Sequence, residues 1–92
     1  MDLTSILEKK QNYASRKIGG EYVIVPIKNN VAEMNTLINL NEVGSFIWDQ
    51  LQEDSTVEAI ELAIVAEFDV PQTTAQQDLA KFLDKLDRTL KL

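Results

Sequence analysis

The chain contains no cysteine and no histidine. Without cysteine there can be no disulfide, thiolate metal site or thiol nucleophile. Without histidine the commonest general base and the commonest metal ligand are both missing. Aromatic residues make up only 7%, so any core has to be aliphatic. The few glycines form no phosphate-cradling pattern, and no activated-nucleophile or metal-ligand spacing occurs. Glu58 and Glu61 fall one helical turn apart, but such pairs are ordinary solvated surface. The expectation is a protein that is not an enzyme and that carries no cofactor and no metal.

Long apolar runs and basic charge are lacking too. No uncharged apolar stretch approaches membrane-spanning length. The N-terminus, MDLTSILEKK, lacks the basic region and apolar run of a secretory signal. A cytoplasmic protein with no membrane partner is expected. The formal net charge is −6 and the sequence pI is about 4.5. The small basic excess lies in residues 1–20, with four basic and two acidic groups, whereas residues 51–92 carry four and nine. An acidic chain repels phosphate backbones, so nucleic acid is not an expected partner. Ninety-two residues allow one domain with one modest core.

What is present reads as strands followed by helices. Leu3, Ile6 and Leu7 suit a short amphipathic turn in a partly ordered segment, residues 1–12, ahead of the domain at 13–92. Gly19-Gly20 predicts a tight hairpin between a strand at Tyr13–Ile18 and a longer one at Glu21–Ile27. Val23, Ile24 and Val25 suit a pleated, half-buried surface, and Pro26 is expected to end that strand or mark an edge. Lys28-Asn29-Asn30 predicts a turn. A third strand at Val31–Asn39 places Met34, Thr36, Ile38 and Leu40 on one face.

Leu40–Leu51, LNEVGSFIWDQL, then turns from strand to helix. Asn41 is a good N-cap, and Val43, Phe46, Ile47 and Leu51 recur at helical spacing through about Gln52. Trp48 on this apolar helix is read as core. Gly44 either permits a close approach or is merely a tolerated poor helix former. Ser55-Thr56-Val57-Glu58 fits a capping box opening a second helix to about Glu67, with Val57, Ile60, Ala63, Ile64 and Phe68 facing the core. Asp69-Val70-Pro71 breaks it. A third helix from about Ala75 carries the stripe Ala75, Leu79, Phe82, Leu83, Leu86 and Leu90. The fold class is α+β: a three-stranded antiparallel sheet followed by three helices, in a winged-helix-like arrangement.

At this point the chain resembles the PqqD-like family, named for a protein of pyrroloquinoline quinone biosynthesis and also called the RiPP recognition element. The resemblance spans roughly Tyr13 to Leu92. It rests on Ile18-Gly19-Gly20-Glu21-Tyr22-Val23-Ile24-Val25-Pro26, on Leu40-Asn41-Glu42-Val43-Gly44-Ser45-Phe46-Ile47-Trp48, on Thr56-Val57-Glu58, and on Asp78-Leu79 with Phe82-Leu83 and Leu86. Where the family usually has glycine after the first helix, this chain has Glu53. Where it ends on glycine and two apolar residues, this chain has Thr89-Leu90-Lys91-Leu92.

The resemblance implies a non-catalytic adaptor. Such a domain captures the leader of a ribosomally made precursor peptide and presents it to a modifying enzyme, commonly a radical SAM maturase. The leader adds as a strand beside the third strand, with unpaired backbone groups supplying affinity and side-chain pockets specificity. Projected here, the groove is bounded by Asn35, Thr36, Leu37 and Asn39 on the sheet. On the third helix, Asp78, Phe82 and Lys85 share one margin of the apolar stripe, while Gln76, Leu83 and Asp87 share the other. Asp78 and Lys85 read equally as a solvated face, and Phe82 as core. The alternatives are a winged-helix DNA-binding regulator, which balanced charge on the third helix disfavours, and a structural subunit whose exposed strand pairs with its own copy. The chain is expected as a monomer or weak homodimer.

Overall fold

A computed structural model describes residues 3–28, 31–32 and 38–90. The Gly19-Gly20 pair reverses the chain with φ of 59° and 84°, values that glycine adopts without steric cost. The reversal joins β1 (Tyr13–Ile18) to β2 (Glu21–Lys28) as an antiparallel hairpin, in register from Ile18↔Glu21 to Tyr13↔Pro26. Two short strands share the other side of β2. β3 (Val31–Ala32) pairs with its end, Ile27↔Ala32 and Lys28↔Val31, and β4 (Ile38–Leu40) pairs from Tyr22↔Leu40 to Ile24↔Ile38. The sheet is therefore three strands wide with β2 central.

Pro26 does not end β2, which runs on to Lys28. Ile27 donates its N–H to the Asn12 carbonyl, so alternation along the strand turns the Pro26 nitrogen to the opposite side. There it falls between the β4 pairing, which reaches Ile24, and the β3 pairing, which begins at Ile27. A residue without an N–H is tolerated at such a gap. Of the expected third strand, Val31–Ala32 and Ile38–Asn39 are strand, with Ile38 and Leu40 buried and Asn39 exposed. Met34, Asn35, Thr36, Leu37 and Asn29-Asn30 lie outside the described residues.

Among the described residues four helices complete the fold: α1 (Leu3–Lys10), α2 (Glu42–Gln50), α3 (Val57–Phe68) and α4 (Gln72–Leu90). Three helices follow the sheet as expected, and α1, where only a short amphipathic turn was expected, precedes it with Ile6 fully buried against the sheet and helices. α2 ends two residues early, because the Gln52 N–H turns out to the Ser55 hydroxyl instead of continuing the helix. That hydroxyl donates onward to the Gln50 carbonyl, so Ser55 closes a loop and does not cap α3. Thr56 is the N-cap, its Oγ1 accepting from the Ala59 N–H at 3.1 Å. Val57, expected in the core, is 43% exposed. α3 stops at Asp69 in the left-handed region (φ 52°). α4 starts three residues before Ala75, because the Pro71 carbonyl already accepts from the Ala75 N–H. Proline's fixed φ suits a helix start.

The core is aliphatic, as the scarcity of aromatics requires. Ile24, Ile38 and Leu40 of the sheet meet Ile47, Trp48 and Leu51 around α2, Ile60 and Ile64 of α3, and Leu79, Leu83 and Leu86 of α4. Each such side chain contributes about 1.5–3 kcal/mol on full burial. Phe46 and Phe68 meet edge to face at 5.3 Å and tie α2 to the end of α3. No buried side-chain polar atom among the described residues lacks a partner. This packing hangs α4 alongside β4 and α2.

Candidate functional site

A groove of about 340 Å³ opens where α4 passes the junction of β4 and α2. Its floor is apolar: Leu40 from β4, Val43 and Ile47 from α2, and Phe82 from α4. Asp78, Lys81 and Lys85 stand along its α4 rim. The α4 contributions, Asp78, Lys81, Phe82 and Lys85, come from helical spacing, since positions three to four apart on α4 share a face.

One wall is a sheet edge. β2 directs the backbone groups of Tyr22 and Ile24 at β4, because its intervening residues face β1. Their partners Leu40 and Ile38 therefore point their backbone groups at β2, and Asn39 points its own away. The Lys85 ammonium lies 3.4 Å from the Asn39 carbonyl oxygen, across that outward edge. This is the long end of hydrogen-bonding distance. The other outer edge of the sheet, β1, is exposed over Ser15–Ile18, and its Ser15 carbonyl accepts from the neighbouring Arg16 guanidinium at 3.0 Å. Cations on outward carbonyls keep sheet edges from pairing indiscriminately.

The strand-to-helix junction shapes the groove's near end. Asn41 caps α2, its Oδ1 accepting from the Gly44 N–H at 2.7 Å, and it also lines the groove. Gly44 is buried against the Phe82 ring, where a Cβ would stand only 3.1 Å from Cε1. The glycine thus permits a close approach of α4 to α2.

A second cavity of about 570 Å³ lies between α1 and the segment after α2, lined by Leu7, Lys10, Leu51 and Glu53 among others. Lys10 donates to the carbonyls of Trp48 (2.7 Å) and Leu51 (2.6 Å) and rests 5.3 Å from the centre of the Trp48 ring. A cation at a helix C-terminus is favoured by the exposed carbonyls and the helix dipole. Burial pushes the Lys10 ammonium below its ordinary value of 10.5, and the Asp49 carboxylate pulls partly back. The role of Lys10 escaped sequence reasoning, because its partners lie 38 and 41 residues away.

Of the residues singled out by sequence, Asp78, Phe82 and Lys85 all line the groove, and Asn39 does not line it but meets it through its carbonyl contact with Lys85. Asn35, Thr36 and Leu37 lie outside the described residues. On the other margin of α4, Leu83 is buried in the core and Gln76 is exposed. Leu40, Asn41, Val43, Gly44, Ile47 and Lys81 were missed as groove residues. Lys81 was legible from its spacing to Asp78 and Lys85 on one helical margin. Arg88 is held by Asp84 at 2.8 Å, which further weakens α4 as a phosphate-binding helix. Among the described residues no group of acidic side chains is placed to hold a metal, and no helix is long and apolar enough to cross a membrane.

Comparison with known families matches the chain to the family described as coenzyme PQQ synthesis protein D (PqqD), over residues 21–89. The matched span runs from β2 nearly to the end of α4 and includes every groove-lining residue. No curated protein and no solved structure matches the chain.

Proposed function

The chain belongs to the coenzyme PQQ synthesis protein D family, and from that premise we propose that it is a non-catalytic peptide-binding adaptor. It captures the leader of a ribosomally made precursor peptide and presents it to a modifying enzyme, a radical SAM maturase or another maturation enzyme. The leader adds as a strand on the outer edge of β4, with its side chains entering the groove beneath α4. The observation that supports this most is the Asn39 carbonyl, which among the described residues pairs with no strand and is met by Lys85 from the groove's rim. Backbone groups on such an edge give affinity that is nearly independent of sequence, and the groove beside it gives selectivity. Asn39, Asp78, Phe82 and Lys85 are the contact residues in this reading, together with the 35–37 segment that precedes β4.

Nuclear magnetic resonance titration of the labelled full chain tests it. The probes are synthetic peptides covering the N-terminal half of short open reading frames adjacent to the gene. Amide shifts are expected to cluster at residues 39–44 and 78–89. Shifts clustering on β1, or absent with every such peptide, would overturn the assignment.

A further inference from the structure

We propose that the groove selects a peptide segment carrying an acidic and an apolar residue two positions apart, with Lys85 as a guard on the β4 edge that the acid relieves. This rests on the reading of the groove as a peptide site and names the chemistry of its occupant.

The Asn39 oxygen is the acceptor that an added strand's N–H would use, and the Lys85 ammonium already occupies it at 3.4 Å. Lys85 is exposed and its contact is long, so the contact is readily surrendered. A neutral strand would displace the ammonium and offer it nothing in return. A strand bearing a carboxylate nearby would replace a long contact to a carbonyl with a charge-assisted bond, the stronger kind. The guard thus raises the threshold for neutral strands and lowers it for acidic ones, which is selection by difference in affinity.

Charge along the rim points the same way. Lys81 and Lys85 both line the groove of a chain whose net charge is −6, so the rim is a local reversal of sign. Asp78 stands at the other end, about 10 Å from Lys85 at about 1.5 Å per helical residue. An acidic side chain is therefore drawn to the Lys85 end beside Asn39 and repelled from the Asp78 end.

The spacing follows from strand geometry. Side chains on a strand alternate between faces. The incoming residue opposite Asn39 points with it to solvent. Its two neighbours point with Ile38 and Leu40 to the face that α4 covers. One neighbour meets Lys85, and the other reaches the floor of Leu40, Val43 and Phe82. Those neighbours are two positions apart.

A displayed library of random short peptides selected on the full chain tests the proposal. Enriched peptides are then synthesised with Asp or Glu, or with the matching Asn or Gln, and measured by fluorescence anisotropy against wild type and Lys85→Met. Enriched sequences should pair an acid with an apolar residue two positions away. Wild type should bind the acid form about three- to fivefold tighter than the amide form, as for a partly exposed ion pair. Lys85→Met should abolish that difference and bind the amide form at least as tightly as wild type does. Equal binding of acid and amide forms to wild type, or equal weakening of both by Lys85→Met, would overturn acid selection and leave the peptide site standing. Failure to enrich any peptide would overturn both.

Discussion

Replacing Gly44 with alanine asks whether the floor of the groove can yield. The added Cβ would stand 3.1 Å from Asn41 Oδ1 and 3.1 and 3.3 Å from Phe82 Cε1 and Cδ1. At 3.1 Å the Asn41 contact is tighter than ordinary van der Waals contact, so the exposed cap side chain has to give by a few tenths of an ångström while it keeps its bond to the residue 44 N–H. Phe82 has to give as well. Its ring is 8% exposed and borders about 340 Å³ of open groove, so a shift of a few tenths of an ångström has somewhere to go. Pushing such a ring off its preferred rotamer costs about 0.5–1.5 kcal/mol. Alanine in place of glycine contributes about 1 kcal/mol in a helix. The two terms nearly cancel, and urea unfolding should show a change within about 1 kcal/mol at constant m. Resonances of Phe82 and the amides around Lys81 and Lys85 should move, while those of β1 stay in place. A loss above about 2 kcal/mol, in the range of a core that cannot relax, would refute the reasoning.

Lys10→Met should lower stability by about 1–2 kcal/mol in thermal or urea unfolding, since it removes two charge-assisted bonds from a part-exposed site. Because burial holds the Lys10 ammonium below 10.5, the folded chain sheds that proton before the unfolded chain does. Wild-type stability should therefore rise with pH in the window just below 10.5 relative to Lys10→Met, with no such difference in slope near neutrality; parallel curves throughout would contradict it. Thr56→Ala should cost about 1 kcal/mol as a lost N-cap, and Ser55→Ala less, since its loop bonds are partly solvated; the reverse order would restore Ser55 as the cap. Asp69→Gly should raise the unfolding midpoint, by up to about 0.5 kcal/mol in stability, because glycine adopts the left-handed region freely but gives up more unfolded-state entropy.

Much of the scaffold was legible from local signals. The Gly19-Gly20 reversal, the β-branched run of Val23–Val25, the Asn41 cap and the α4 stripe each act within one turn or one hairpin, where backbone sterics and first-turn donors decide the outcome. Local signals also misplaced some boundaries. Ser55 and Thr56 are both competent caps, and the choice fell to Thr56 once the Ser55 hydroxyl was engaged by Gln50 and Gln52. Asn35, Thr36 and Leu37, expected along the groove, lie outside the described residues and stay a proposal with the rest of the contact set.

The sequence by itself determined that this chain is acidic, has an α+β fold and lacks thiol and imidazole side chains, and that Asp78, Phe82 and Lys85 share one margin of a helix. Periodicity and composition carry that information, because they are properties of neighbours in the chain. Only the tertiary structure decided that this margin meets the outward edge of β4, with Lys85 on an oxygen 46 residues away. Only packing gave Gly44 its reason, through a ring on another helix, and gave Lys10 its place at the end of α2. Those contacts form when helices dock over a sheet, and the angle of docking is set by the whole core at once.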